Sequence, residues 1–407
     1  MLAHARQPPA EWQLIPFYLG AAIGPTGGGV FAVLFTILLG AFDVDRSLLS
    51  LAVPAYMVPY AAVQLVSGGL SDLTSRRASI LLGFGSYGAA SLVAALAPTF
   101  PVFLLSQVLQ GASNAFTTPI LLATLGDVLP RERVGRSMGL FSSTNQAGAL
   151  AAPLLAGALG DLNWRLVYLV ITGISWGLLL WYVLWFRRYG ALVPTRVRAN
   201  NLPATLRTMA RAVGLPVVLL ASLSFLTNGA MRGPSYLFAE YLRDTWGTSV
   251  GQAGLLLSTY GLAALVGGPG AGWLVDRVGP IRGIAGGMLG VAASLVLMGW
   301  APSPLLFAAA NFTLGLAGIV AWAGLNTLAV RTVPERRGTV ASIAGSARFL
   351  GQAVAPLWFT PLYDAGMPAS LFLLSAAMAV AALAPLAKLR ALAPEQERAA
   401  GPASARR

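Results

Sequence analysis

The chain has 407 residues, of which 56% are apolar and only 10% are charged, and its formal net charge at pH 7 is +13. Soluble domains are on average less apolar and carry about 25% charged residues. This composition predicts a protein that folds in lipid and argues against a soluble enzyme.

Twelve apolar stretches follow one another along the chain. Each is long enough to cross a hydrocarbon core of about 30 Å as a helix. They predict an all-α membrane protein with twelve transmembrane helices, at residues 14–40, 48–71, 77–97, 101–125, 136–159, 165–186, 214–240, 250–275, 283–301, 304–330, 338–362 and 367–388. The first stretch is too long for the apolar core of a signal peptide, so we expect it to remain uncleaved.

The basic residues predict the orientation of these spans. Most arginines fall in the N-terminal tail, in alternate connections and between the sixth and seventh spans. Such residues concentrate on the cytoplasmic side of a membrane. We therefore expect both termini to be cytoplasmic, in a multi-pass protein of the bacterial inner membrane. Because topology explains the positive charge, no nucleic-acid partner is expected.

The chain repeats itself at about half its length. The run 68–72, Gly-Gly-Leu-Ser-Asp, is followed by basic residues and matches the run 272–276, Gly-Trp-Leu-Val-Asp. Farther along, Gly148 and Pro153 match Gly351 and Pro356 in the same order. A repeat at a fixed shift predicts two parallel six-helix domains, with the substrate site between them at mid-membrane.

The predicted organisation has five parts. A cytoplasmic tail at 1–13 precedes a six-helix domain at 14–186, and a cytoplasmic linker at 187–213 precedes the second six-helix domain at 214–388. A tail at 389–407, rich in Ala, Pro, Glu and Arg without apolar periodicity, is predicted to be disordered.

These motifs resemble the major facilitator superfamily, in which a Gly, a Leu and an Asp followed by basic residues end the second and eighth spans. The resemblance implies an alternating-access transporter. In the family this loop forms a charge cluster with an acid at the end of span four, which implies a gating role for Asp72, Arg76, Arg77, Asp127, Asp276, Arg277 and Arg282. The small residues of span five resemble the motif of the proton antiporters and favour efflux, with helix packing assigned to Gly148, Pro153, Gly157, Gly351 and Pro356.

Two arginines, Arg232 and Arg348, lie within predicted spans. A charge at a helix centre costs roughly 2.5–3.5 kcal/mol on insertion scales, so both side chains should face protein or water. One interpretation is that they contact substrate, and the other is that they bind backbone carbonyls at broken helices. Polar residues at helical spacing extend the predicted cavity, which comprises Arg348, Arg232, Asn228, Tyr236, Gln352, Tyr56, Tyr60, Gln64, Gln107, Gln110, Asn114, Asn145, Asn311, Trp322 and Asn326.

All fourteen acidic residues are expected in loops, tails or span ends. The predicted substrate is therefore a small anionic or neutral amphipathic compound rather than a cation, and Asp43, Asp45 and Glu240 are the candidate proton sites. Uptake or facilitated diffusion on the same fold is the alternative, and a non-transporting receptor or a membrane enzyme is a third. With no cysteine and a single histidine, His4, we expect no metal, cofactor or catalytic site in a monomer whose partners are substrate, protons and lipid.

Overall fold

The computed structural model describes residues 9–73, 75–193, 213–333 and 337–399, with the backbone alone described at 66–73, 131–132, 337 and 393–399. The predicted role of Asp72 therefore lies outside the described side chains. Most of the predicted linker, at 194–212, and the last part of the tail, at 400–407, also fall outside the described residues.

Helices make up the first half of the described chain. A 3₁₀ turn, Glu11–Leu14, leads into the first helix. The helices are α1 (Ile15–Phe42), α2 (Arg46–Ser50), α3 (Ala52–Leu73), α4 (Arg76–Leu96), α5 (Phe100–Asn114), α6 (Thr118–Val128) and α7 (Arg131–Tyr189). A second 3₁₀ turn, Gly190–Leu192, follows α7.

The second half is built in the same way. Its helices are α8 (Leu215–Arg232), α9 (Phe238–Trp246), α10 (Val250–Val278), α11 (Pro280–Gly299), α12 (Pro304–Thr332), α13 (Arg337–Ala353), α14 (Pro356–Asp364), α15 (Pro368–Ala381) and α16 (Leu383–Ala399). A 3₁₀ turn, Gly233–Leu237, joins α8 to α9.

The prediction of an all-helical membrane protein is confirmed. Within the described residues, nine continuous helical segments are long and apolar enough to cross a membrane. Helix covers all twelve predicted intervals, but spans five and six run together in α7, and spans four and eleven are each interrupted. The number of spans and the cytoplasmic side of the termini stay predictions.

The interruptions have local causes. The fourth interval breaks between Asn114 and Thr118, just before Pro119, and the eleventh breaks at Val354 and Ala355, just before Pro356. Proline removes one helical hydrogen bond and its ring collides with the carbonyl four residues back. In α7 the kink is Asn163, whose backbone is extended at φ −166° and ψ 117°.

Helix α16 is longer than predicted. The last span was expected to end at 388 and a disordered tail to follow, but the helix continues to Ala399. Alanine, leucine, glutamate and arginine dominate this stretch and are strong helix formers, so the helix persists after the apolar pattern has ended.

The two halves meet along several pairs of elements, among them α2 and α14. Helix α7 packs on α10, α3 packs on α13, and α1 packs on α9 and the turn before it. Small residues bring α7 and α10 together: a Cβ placed on Gly254 would lie 2.4 Å from the carbonyl oxygen of Pro153, and one on Gly261 would lie 2.5 Å from Cα of Leu150. Close backbone approach of this kind is typical of packed membrane helices.

Candidate functional site

A cavity lies between the halves. It is lined by α1, α3, α5 and α7 from the first half and by α8, α9, α10, α12, α13 and the 3₁₀ turn from the second. Its volume is about 100 Å³, below the 300–1,000 Å³ usual for drug-sized ligands. Of the predicted cavity residues, those that line it are Tyr56, Gln107, Arg232, Tyr236, Asn311 and Gln352.

Arg232 reaches this cavity because its helix ends there. Helix α8 stops at Arg232 and the backbone tightens into the 3₁₀ turn that contains Pro234. The guanidinium carbon lies 4.6 Å from the ring centroid of Tyr260 on α10. Both side chains line the cavity, so the positive charge is placed at its wall beside an aromatic face.

Arg348 is partly buried one turn before Gln352; Gln352 lines the cavity, whereas Arg348, Trp322 and Asn228, which were predicted to line it, lie behind its wall. Its guanidinium carbon lies 3.9 Å from the ring centroid of Trp322 and 4.4 Å from that of Phe349. The backbone carbonyl of Arg348 accepts a hydrogen bond from Nδ2 of Asn228 at 2.9 Å, which ties α13 to α8. Aromatic faces attract a guanidinium through the ring quadrupole, and this attraction is stronger away from water.

The two guanidinium groups lie close enough to repel each other. Among the residues that the structure describes, neither has a carboxylate within 4.0 Å and neither donates a hydrogen bond. Neither guanidinium therefore binds a backbone carbonyl of the described residues, although α8 does break after Arg232. The site carries two positive charges held by aromatic rings.

Several predicted cavity residues instead serve contacts within one half. Nδ2 of Asn114 donates to the hydroxyl of Tyr56 at 3.0 Å, and its Oδ1 accepts from Thr117 at 2.8 Å. Asn145 donates to the carbonyl of Ala21 at 2.9 Å, which joins α7 to α1. These amides satisfy buried polar groups and do not line the cavity, because each side chain is turned towards a neighbouring helix of its own half.

Two other predicted cavity residues, Tyr60 and Gln64, lie at the contact between α3 and α13. The rings of Tyr60 and Phe349 are 4.2 Å apart between centroids, and Ser346 donates to the carbonyl of Ala61 at 2.9 Å. Gln64 lies against Gly345, where an added Cβ would be 3.1 Å from its Nε2. Neither Tyr60 nor Gln64 lines the cavity, and the same holds for Gln110, which is buried, and Asn326, which is exposed.

The predicted gating residues differ between the halves. Nε of Arg76, which is 8% exposed, lies 2.9 Å from Oδ2 of Asp127, so the start of α4 is tied to the end of α6. Arg77 is exposed and lies near the ring of Phe186. In the second copy Asp276, Arg277 and Arg282 are all exposed, and Arg277 lies over Trp273 at 5.4 Å.

The three candidate proton sites differ in their exposure to solvent. Asp43 is exposed and ends α1 in a left-handed conformation at φ 49°, and the exposed Asp45 caps α2 by accepting from the backbone N–H of Leu48 at 2.6 Å. Glu240, expected at a span end, lies inside α9 and is only 3% exposed. Of the three, only Glu240 is shielded from solvent.

Sequence reasoning missed the partners of Glu240. Arg46 of α2 binds both Glu240 of α9 and Asp364 of α14, so one side chain joins the two halves. Asp161 adds a second link at the same end, where its carboxylate accepts from the backbone N–H of Gly251 at 3.0 Å. We call this end, which the charge pattern predicts to face outward, the outer end. The sequence could have predicted this pairing, because it places opposite charges at the outer ends of the two halves.

Two bundles packed around a central cavity, in a chain of apolar membrane-length helices, define a polytopic transporter. The family model of the Major Facilitator Superfamily matches the chain twice, over residues 17–241 and 220–406. The chain therefore belongs to the major facilitator superfamily of transporters, and the resemblance drawn from its motifs is confirmed.

Known relatives agree with this assignment. The chain is 25% identical to the uncharacterized MFS-type transporter YceJ of Bacillus subtilis (strain 168), over 84% of this chain and 89% of that protein. It is 26% identical to the multidrug resistance protein MdtG of Enterobacter lignolyticus (strain SCF1), over 71% and 70%.

Solved structures share the fold. A peptide transporter POT in complex with sulfate superimposes with a TM-score of 0.78 at 14% identity, over 95% of this chain and 96% of that one. A bacterial homolog of the human lysosomal transporter Spinster, inward-facing and unoccupied, gives 0.73 at 16% identity, over 93% and 95%.

Proposed function

We propose that the protein exports small organic compounds, anionic or neutral and amphipathic, by alternating access and in exchange for protons. The observation that carries the proposal is the pair Arg232 and Arg348, two guanidinium groups beside the central cavity with no carboxylate partner among the described residues. A lipophilic cation would be repelled by this pair, whereas an anion relieves the repulsion between them.

The remaining cavity wall supports an amphipathic substrate. Phe31, Met57, Tyr236 and Phe238 supply apolar and aromatic surface, while the amides of Gln107, Asn311 and Gln352 supply a few polar contacts. Ligand sites are usually mostly apolar, with a small number of polar groups that fix orientation. A compound with a polar head and an apolar body fits this division.

Export is supported by two observations. The α7–α10 contact contains the small residues that resemble the antiporter motif, and one of its close approaches is Gly157 against Gly254, where a Cβ on Gly157 would lie 3.1 Å from Cα of Gly254. A relative is named a multidrug resistance protein. We place the protein in the bacterial inner membrane, as a monomer whose coupling ion is the proton.

The proposal is tested with everted membrane vesicles, because their reversed orientation turns export into accumulation. Energised vesicles that contain the protein should accumulate anionic or neutral amphipaths, and a protonophore should abolish this accumulation. Vesicles with Arg348→Ala should no longer accumulate the anions. Vesicles with Arg243→Ala, a change at an exposed arginine of α9, should still accumulate them. Accumulation only in right-side-out vesicles would indicate uptake, and accumulation of cations alone would contradict the proposed substrate.

A further inference from the structure

The two arginines differ from an ordinary membrane ion pair in what holds them. Arg348 lies against Trp322 and Phe349, and Arg232 lies against Tyr260. A ring contact attracts the charge of a guanidinium and provides no oxygen acceptor for its N–H donors. Since neither group donates a hydrogen bond to a described residue, the donor edges of both are left for a ligand.

The geometry of those donors selects the head group of the ligand. A guanidinium presents its N–H groups as a planar fork, which matches the two oxygens of a carboxylate or sulfonate and binds them with two parallel hydrogen bonds. A neutral head would leave two repelling charges without compensation. An oxyanion compensates the charge and satisfies the donors at the same time.

The cavity selects the body of the ligand. Its wall beyond Arg232 is largely aromatic and apolar, with Phe31, Tyr56, Tyr260 and Phe238 among its members. Its volume of about 100 Å³ corresponds to a small ligand rather than a drug-sized one. A small inorganic anion would leave this aromatic wall uncovered.

We infer that the substrates are aromatic acids: a carboxylate or sulfonate on a single-ring body, with the oxyanion held by the Arg232–Arg348 pair and the ring against the aromatic wall. This inference rests on the proposed function and narrows its substrate class. Arg348 supplies the fork, because two rings hold its guanidinium in place. Arg232 supplies the second charge at the cavity wall.

Binding to the purified full-length protein tests the inference, with four one-ring probes that differ in the head group: benzoate, benzenesulfonate, the neutral benzamide and protonated benzylamine. We expect benzoate and benzenesulfonate to raise the unfolding temperature and to bind at least about tenfold more tightly than benzamide. Benzylamine should not bind. Equal binding of benzamide and benzoate would overturn the inference.

A substitution that conserves charge separates the contribution of the planar donors of Arg348 to binding from the contribution of its positive charge. Arg348→Lys keeps the charge and loses the planar donors, so benzoate affinity should fall by about tenfold or more. Arg243→Lys is the matched control at an exposed arginine and should leave the affinity unchanged. Unfolding temperatures without ligand check that both variants are folded, and an equal loss in both variants would overturn the assignment of Arg348.

The everted-vesicle assay distinguishes this inference from the proposed function. If neutral amphipaths accumulate in energised vesicles but benzoate neither binds nor accumulates, export stands and the aromatic-acid site is wrong. If benzoate binds the purified protein with the Arg348 dependence given above but no compound accumulates, the site stands and the proposed export is wrong.

Discussion

Arg46 in the first half and Glu240 in the second are joined by two hydrogen bonds to the same carboxylate oxygen. Nη2 and Nε of Arg46 lie 2.8 Å and 3.0 Å from Oε1 of Glu240. The side chain of Glu240 is 4% exposed, and its Oε2 is buried without a hydrogen-bond partner among the described residues. The two halves are thus held together at the outer end by a carboxylate of which only one oxygen accepts hydrogen bonds from the described residues.

Opening the outer end must break this pair. We therefore expect Glu240→Gln, which keeps the shape and removes the charge, to raise the population of the open outer end by about tenfold, since a hydrogen bond to a charged group contributes roughly 1.5–3 kcal/mol. Spin labels on Leu48→Cys and Met367→Cys would report the distance between the halves, and the chain contains no native cysteine that would interfere. Asp43→Asn, at an exposed carboxylate, is the control.

Close packing between α7 and α10 predicts a steric effect on the movement of the halves. In Gly254→Ala the new methyl group would lie 2.4 Å from the carbonyl oxygen of Pro153, and overpacking of this kind typically costs about 1–3 kcal/mol. We expect slower transport and a lower unfolding temperature. Gly268→Ala on the same helix is the control, because nothing lies within 4 Å of its added Cβ. Equal losses in both variants would indicate an effect of helix α10 itself rather than of this contact.

The ion pair at the other end predicts a loss of stability. Asp127→Asn removes the carboxylate that lies 2.9 Å from the buried Nε of Arg76, and such a loss costs about 1–3 kcal/mol. The unfolding temperature in detergent should fall. Asp276→Asn, at an exposed carboxylate of the second half, should change it little. If the two variants behave alike, the Arg76–Asp127 pair contributes nothing measurable to stability.

The sequence by itself determined the class of the protein. Apolar stretches of membrane length and the repeat of Asp72 at Asp276 led to a two-half helical transporter, because span length and internal repetition are local properties of the chain. The contact between Asp127 and Arg76 could also be predicted from the sequence, since both residues lie at the ends of neighbouring spans. Helix breaks at Pro119 and Pro356 changed the count of continuous helices without changing this outcome.

Only the tertiary structure decided which polar side chains face the cavity. Successive residues of a helix differ by about 100° in direction, so spacing placed Asn114 and Asn145 on plausible faces that in fact contact neighbouring helices. Phe349 belongs to α13, but the other two rings, Tyr260 against Arg232 and Trp322 against Arg348, come from other helices, which no pattern within α8 or α13 reveals. Arg46 and Glu240 are 194 residues apart in the chain, and their pairing depends on how the halves are placed against each other. A sequence shows that charges are present, but packing decides which of them meet.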